Sequence, residues 1–311
     1  MVTAAPPRTR RIRRRVDGVL LLDKPSGLSS NAALQRAKRC FDAEKAGHTG
    51  TLDPLASGLL PLCFGEATKF AQFLLDATKD YTATVRFGAT TATGDAEGAV
   101  LETRAVALEH AGVAAVLPKF LGAQAQIPPA YSALKFQGRN YYEYAREGVA
   151  IERTARPIAI HRLELLAWET PDAILELACS KGTYVRVLAE DLGRALGCGA
   201  HLAALRRTAT GGFRLADAVT LEALEAMDAP QRDALLLPPA VLVRDLPHLQ
   251  LADESAFRFR QGGSVAAPDL PEGACAAFAG DILLGVADVA GGVAQPRRVV
   301  AAPPAAQVGH G

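Results

Sequence analysis

The chain has 311 residues, of which 49% are hydrophobic and 22% charged, with a formal charge of +1 at pH 7. This is the composition of a soluble globular protein with room for one large and one small domain. Charges, Gly or Pro interrupt every apolar run before it could cross a bilayer. The five scattered cysteines show neither CxxC pairs nor zinc spacing, so reduced thiols, no metal, no membrane and a cytoplasmic setting are expected.

Charge is unevenly placed. Residues 8–15 (RTRRIRRR) hold six arginines, so the rest of the chain sums to −5, and any polyanion site in the folded part has to be a local patch. Residues 1–16 read as a disordered arm, either a solvated tail or a phosphate-attracting segment, and lack the apolar region of a secretory signal. Order is expected from Asp17. Val19–Leu22 reads as a short buried strand, closed by the turn Asp23–Gly27. Ser29 or Ser30 can cap a helix to about Phe41. After a Gly-rich stretch, residues 67–75 suit a helix, and residues 81–87 alternate as a half-buried strand. Residues 105–121 look helical. Residues 126–157, with Pro-Pro, an internal glycine and aromatics mixed with charge, form a long segment of little periodicity, usually functional or mobile. Two strands are expected at 158–168 and 173–179, and helices at 184–196, 200–205 and 219–237. Near Pro238–Leu246 the texture turns to loop, which marks a domain boundary. Short strands at 275–278, 282–289 and 298–300 suit a small β-rich module, followed by a disordered tail at 303–311. The elements do not alternate as βαβ units, so the fold class is α+β rather than doubly wound.

The stretch GHTGTLDPLASGLLP (47–61) isolates Asp53 among glycines, hydroxyls and aliphatics. Pro54 disfavours helix at Asp53, and Gly47, Gly50 and Gly58 permit tight turns or close approach to a ligand. Such a carboxylate is either a turn device or a reactive group. The stretch has neither P-loop nor dinucleotide spacing.

KPSGLSS (24–30), GHTGTLDPLASGLLP (47–61), GEATK (65–69), KDYTA (79–83), SKGTYVR (180–186) and HLAALRRT (201–208) follow one another in order. Together they resemble the TruB family of pseudouridine synthases, from about Asp17 to Phe213. The resemblance implies a mixed, mainly antiparallel sheet flanked by helices over residues 17–240, and isomerisation of uridine 55 in the tRNA T-loop without a cofactor. It implies that Asp53 is the nucleophile, that Tyr81 packs on the target base, and that Tyr184 and Arg186 complete the site, the arginine pairing with the aspartate. His48 would contact flipped-out nucleotides, and Lys24 and Lys69 match motif positions near the site. Residues 126–157 correspond to a segment set against the tRNA loop. There Lys135, Arg139 and Arg146 interleave with aromatics, as suits a loop-RNA surface. Arg206 and Arg207 could touch phosphates or finish a helix. The module at 245–302 is similar to a PUA-type RNA-binding domain, although poor in lysine.

The chemistry needs only a nucleophile and a proton acceptor. Whether Asp53 attacks C1′ or C6, or assists a glycal route, stays open. A tRNA-folding chaperone could use the same surface. A hydrolase acting on a small glycoside is weakened by the lack of a second carboxylate nearby. The protein is expected to be a monomer.

Overall fold

The computed structural model describes residues 13–301. Residues 1–12 and 302–311, and with them most of the expected arm and all of the expected tail, lie outside the described residues. The last residues of the arm are docked. Arg14 donates from Nε to Phe41 O at 2.8 Å and pairs with Asp233, and Val16 is buried.

In chain order the first part comprises β1 (Gly18–Lys24), α1 (Ser30–Cys40), β2 (Ala46–His48), β3 (Ser57–Phe64), α2 (Ala71–Leu75), β4 (Lys79–Phe87), β5 (Ala89–Thr91) and β6 (Val100–Thr103). Next come α3 (His110–Val116), β7 (Gly122–Gln126), the hairpin β8 (Lys135–Phe136) and β9 (Arg139–Asn140), α4 (Tyr141–Arg146), β10 (Arg156–Glu169) and β11 (Asp172–Cys179). Then follow α5 (Val185–Ala195), β12 (Ala200–Thr210), β13 (Phe213–Arg214), β14 (Val219–Thr220), α6 (Leu221–Ala226) and α7 (Ala229–Ala234). The second part holds β15 (His248–Gln250), α8 (Asp253–Arg260), β16 (Val265–Ala266), β17 (Gly273–Ala279), β18 (Ile282–Ala290) and β19 (Val293–Val299).

A ten-stranded sheet runs β14-β1-β3-β12-β4-β11-β10-β7, with β13 beside β12 and β2 beside β3. Only β1/β14 and β3/β12 pair in parallel, so the sheet is mainly antiparallel, as expected. β1 and β3 are buried on both faces. Leu20, Leu22, Leu60 and Leu62 point into the core under α1, and Val19, Leu21, Leu59 and Cys63 into a second cluster. That is why their sequences read as continuous apolar runs rather than alternation. The second cluster also takes Phe278, Leu283 and Val286 from the C-terminal five-stranded sheet, so the two parts share packed apolar surface.

Helix α1 starts as expected, with the Ser29 hydroxyl accepting from Ala32 N. Three expectations are corrected. Residues 200–205 are the start of β12, not a helix. A short Ala/Leu run favours helix only weakly, and here both β3 and β4 present edges that need a partner. The span 219–237 is not one helix. It breaks at Met227, and Asp228 opens α7 with a capping box to Gln231. The span 105–121 is helical only from His110, with a final tight turn at Leu117–Phe120. No helix among the described residues is long and apolar enough to cross a membrane.

Candidate active site

The loop before β3 is held by its backbone. Thr49, fully buried, donates its N–H to Pro61 O at 3.1 Å. Ser30, at the start of α1, clamps Leu52 both ways, donating to Leu52 O at 2.9 Å and accepting from Leu52 N at 2.8 Å. Gly27 N donates to Pro54 O at 2.8 Å. Between these anchors Asp53 projects with 43% of its side chain exposed, so it has one free approach.

Arg186 reaches Asp53 from the first turn of α5. Its Nη2 lies 3.0 Å from Asp53 Oδ2, and its Nη1 lies 3.4 Å from Asp95 Oδ2. It also donates to Thr93 O at 3.1 Å and to Tyr131 O at 2.8 Å, and its residue is 5% exposed. A guanidinium so fixed is a rigid fork, and one cation holds two carboxylates. Asp95 is buried, and its Oδ1 accepts from Thr93 Oγ1 at 2.5 Å and Glu97 N at 3.1 Å. Burial pushes the Asp53 carboxyl above the usual carboxylate range, Arg186 pulls it back, and Asp95 adds to the rise.

Asp53, Tyr81, Tyr184, Arg186 and Arg207 all line one pocket of about 410 Å³. Tyr81 comes from β4 and is nearly buried. Burial pushes its phenol up and the Arg207 guanidinium opposes the rise. Tyr184 caps α5. Its backbone is clamped by Gln126, which accepts from Tyr184 N at 2.8 Å and donates to Tyr184 O at 3.1 Å. Asp53 and Arg186 also border a second cavity of about 490 Å³, lined by His48, Tyr142 and Arg146. Burial, and next the Arg207 charge, lower the pKa of His48. Arg146 lies over the Tyr142 ring at 5.2 Å.

Of the remaining basic candidates, Arg207 lines the same pocket and the charge of Lys24 helps to pull the Asp53 carboxyl down, whereas the others lie apart. Lys135 and Arg139 sit on the exposed β8–β9 hairpin, with Arg139 4.7 Å over the Tyr144 ring and paired with Glu143 and Glu147. Lys24 is fully buried, donates to Pro25 O and Leu28 O, and has its pKa lowered to about 8 by burial. Lys69 is not brought to the pocket. It binds Glu66 at 2.7 Å and Val299 O at 2.8 Å, joining the two parts of the chain. Arg206 and Arg207 lie on a strand, so they end no helix. Alternation sends Arg206 outward to Asp23 at 2.7 Å, whereas Arg207 turns inward. Reading the chain alone did not assign Asp95, Gln126, Ser30 or Lys79 to the site, although Ser30 closes the KPSGLSS motif and Lys79 opens KDYTA.

Residues 38–185 match the N-terminal domain of the TruB family pseudouridylate synthases. Residues 186–243 match the tRNA pseudouridylate synthase B C-terminal domain, and residues 247–300 the C-terminal domain of pseudouridine synthase II TruB. The chain is 54% identical over 307 residues to tRNA pseudouridine synthase B of Burkholderia mallei (strain ATCC 23344), covering 96% of this chain and 99% of that one. It is 55% identical over 292 residues to the protein of the same name from Thiobacillus denitrificans (strain ATCC 25259 / T1), covering 93% and 97%. Among solved structures, a chain of a Cbf5-Nop10-Gar1 complex superposes with a TM-score of 0.72 at 26% identity, over 91% of this chain and 84% of that one. A chain of an H/ACA RNP bound to a substrate RNA containing 2′-deoxyuridine gives 0.69 at 25% identity, over 91% and 84%.

Proposed function

The chain belongs to the TruB family of pseudouridylate synthases and isomerises uridine in tRNA to pseudouridine, and from that premise we propose that Asp53 is the nucleophile and uridine 55 of the T-loop the target. The observation that carries the assignment is the Asp53–Arg186 pair at 3.0 Å on the rim of a pocket that also holds Tyr81.

Isomerisation breaks the bond between C1′ and N1, turns the base and rejoins C1′ to C5. No electron is gained or lost. The uridine has to leave its stack first, which costs a few kcal/mol, offset by contacts in the pocket. Tyr81 offers its ring to the uracil. Asp53, ionised by virtue of Arg186, attacks along its exposed side or assists loss of the 2′ proton. The second cavity, with His48 and the Tyr142/Arg146 pair, takes the nucleotides flipped out beside the target, and Lys135 and Arg139 on the hairpin meet the loop backbone. Lys24, Lys69 and Arg207 are withdrawn from any phosphate by burial or by their own partners. The protein acts as a cytoplasmic monomer.

Incubating the protein with unmodified tRNA and mapping pseudouridine tests the target. Folded protein that forms none at position 55 overturns it. Asp53→Asn is expected to slow single-turnover formation by about 10⁴-fold or more while tRNA binding stays within about threefold. The same surface serves tRNA refolding without chemistry, so a refolding assay with Asp53→Asn is expected to match wild type. Loss of refolding in that variant removes the chaperone role.

A further inference from the structure

Arg207 is 1% exposed and is among the largest fully buried side chains of the described residues. Its Nε donates to Leu59 O at 2.6 Å and its Nη2 to Gly50 O at 3.2 Å, both in the segment that carries Asp53. On β12 it sits directly across from Tyr81 of β4. Lys79, one alternation before Tyr81, lies on the same pocket. It is 7% exposed, and its Nζ donates to Leu75 O and Ala77 O, each at 2.6 Å. A Cβ on Gly50 would lie 3.5 Å from Arg207 Nη1 and 4.0 Å from Lys79 Cε, so the loop glycine covers both cations at once. Among the described residues neither has a carboxylate within ion-pair distance, unlike Arg186. Carbonyl oxygens accept from Nε and Nη2 of Arg207 and from Nζ of Lys79 but bring no counter-charge, and burial lowers the Lys79 pKa to about 8. Such an arrangement is costly unless a negative charge arrives or develops beside it.

The reaction develops one. Whatever Asp53 does, the C1′–N1 bond breaks with its electron pair on the uracil. The base turns, and C5 supplies the pair that rebonds C1′. The C5 proton then leaves and N1 gains one. Resting on the reading of function above, we propose that Arg207, with Lys79 beside it, is a positioning residue whose positive field stabilises the uracil anion as it leaves C1′ and aligns Tyr81 against it. The Asp53–Arg186–Asp95 group then presents the negative partner from the loop and α5, and the sheet presents the positive one. The field of Arg207 also opposes the rise of the Tyr81 phenol.

The test compares single-turnover rates of C1′–N1 cleavage, read as loss of the starting nucleoside, on T-loop RNA carrying uridine or 5-fluorouridine at the target, because the fluorinated base has no C5 proton to lose and cannot finish as pseudouridine. Fluorine stabilises the base anion and lessens the need for a protein cation. Arg207→Met is expected to lose about 100-fold on uridine and only about tenfold on 5-fluorouridine. Equal losses on both RNAs mean that Arg207 only pins the loop, and overturn the proposal. Should Arg207→Met not fold, Arg207→Lys carries the test. Its misplaced charge is expected to cost about tenfold on uridine and under about threefold on the fluorinated RNA, and equal losses again overturn it. Wild-type protein that forms no pseudouridine from uridine RNA refutes the reading of function instead, so the two failures are distinct.

Discussion

Replacing Arg186 with methionine keeps most of the side-chain length and removes the charge. It strips a cation from Asp53 at 3.0 Å and from Asp95 at 3.4 Å, and two donors from Thr93 O and Tyr131 O. Asp95 is 3% exposed, so its charge is left without compensation, and breaking a buried pair costs about 3–5 kcal/mol. The share owed to Asp53 is smaller because solvent reaches 43% of its side chain. A loss of about 3 kcal/mol, or a fall in Tm of about 5 °C for a chain of this length, is expected. The effect on rate has a definite sign in pH. The nucleophile must be ionised, so activity is lost as pH falls through the Asp53 carboxyl. That group already lies above the ordinary carboxylate value through burial, with Arg186 opposing and Asp95 reinforcing. Without Arg186 the rise is less opposed, and the acid limb moves to higher pH. At neutral pH the rate is expected to fall about 10²–10³-fold, because orientation is lost as well. Arg186→Lys keeps a charge without the fork and is expected to fall between. Single-turnover rates from about pH 5 to 9, with denaturant titrations at neutral pH, provide the measurement. An acid limb that stays in place or moves down, or a rate near wild type, would refute the electrostatic role.

Gly58→Ala is a second test. Gly58 has φ +101°, and its Cβ would lie 2.3 Å from Arg207 O, which is backbone and cannot swing aside. The β3–β12 pairing has to open by about 1 Å, so a stability loss of about 2–4 kcal/mol and at least about a tenfold fall in rate are expected. Wild-type behaviour in a denaturant titration would show that the strands accommodate it. Arg146→Ala removes the cation over Tyr142 in the second cavity. KM for RNA is expected to rise about tenfold with kcat within about threefold, and the salt dependence of binding to weaken. A selective loss of kcat would instead place Arg146 in the chemistry. Lys69→Met cuts the link from Glu66 to Val299 O. About 1 kcal/mol and faster amide exchange in β19 are expected, with the rate on a minimal T-loop RNA unchanged within about threefold. A large rate loss would mean that Lys69 does more than join the two parts.

What could be read from the chain alone was local. Ser29 caps α1 because a hydroxyl there meets a free amide, and Tyr184 opens α5 where its apolar face begins. Glycines and Pro54 force a loop at Asp53 whatever surrounds it. The family motifs named Asp53, Tyr81, Tyr184 and Arg186, and the fold draws all four to one pocket. Pairing and facing were not legible. β12 became a strand because two neighbouring edges lacked partners, a fact stored in β3 and β4 and not in residues 200–205. Nothing beside Asp95 in the chain marks it, and only the fold brings Arg186 of α5 against it. Arg206 and Arg207 are adjacent and chemically identical, yet strand alternation makes one a surface ion pair with Asp23 and buries the other against Gly50 and Leu59. Local backbone preference is carried by a few consecutive residues, whereas the electrostatics of a buried group depends on which distant segments exclude water from it.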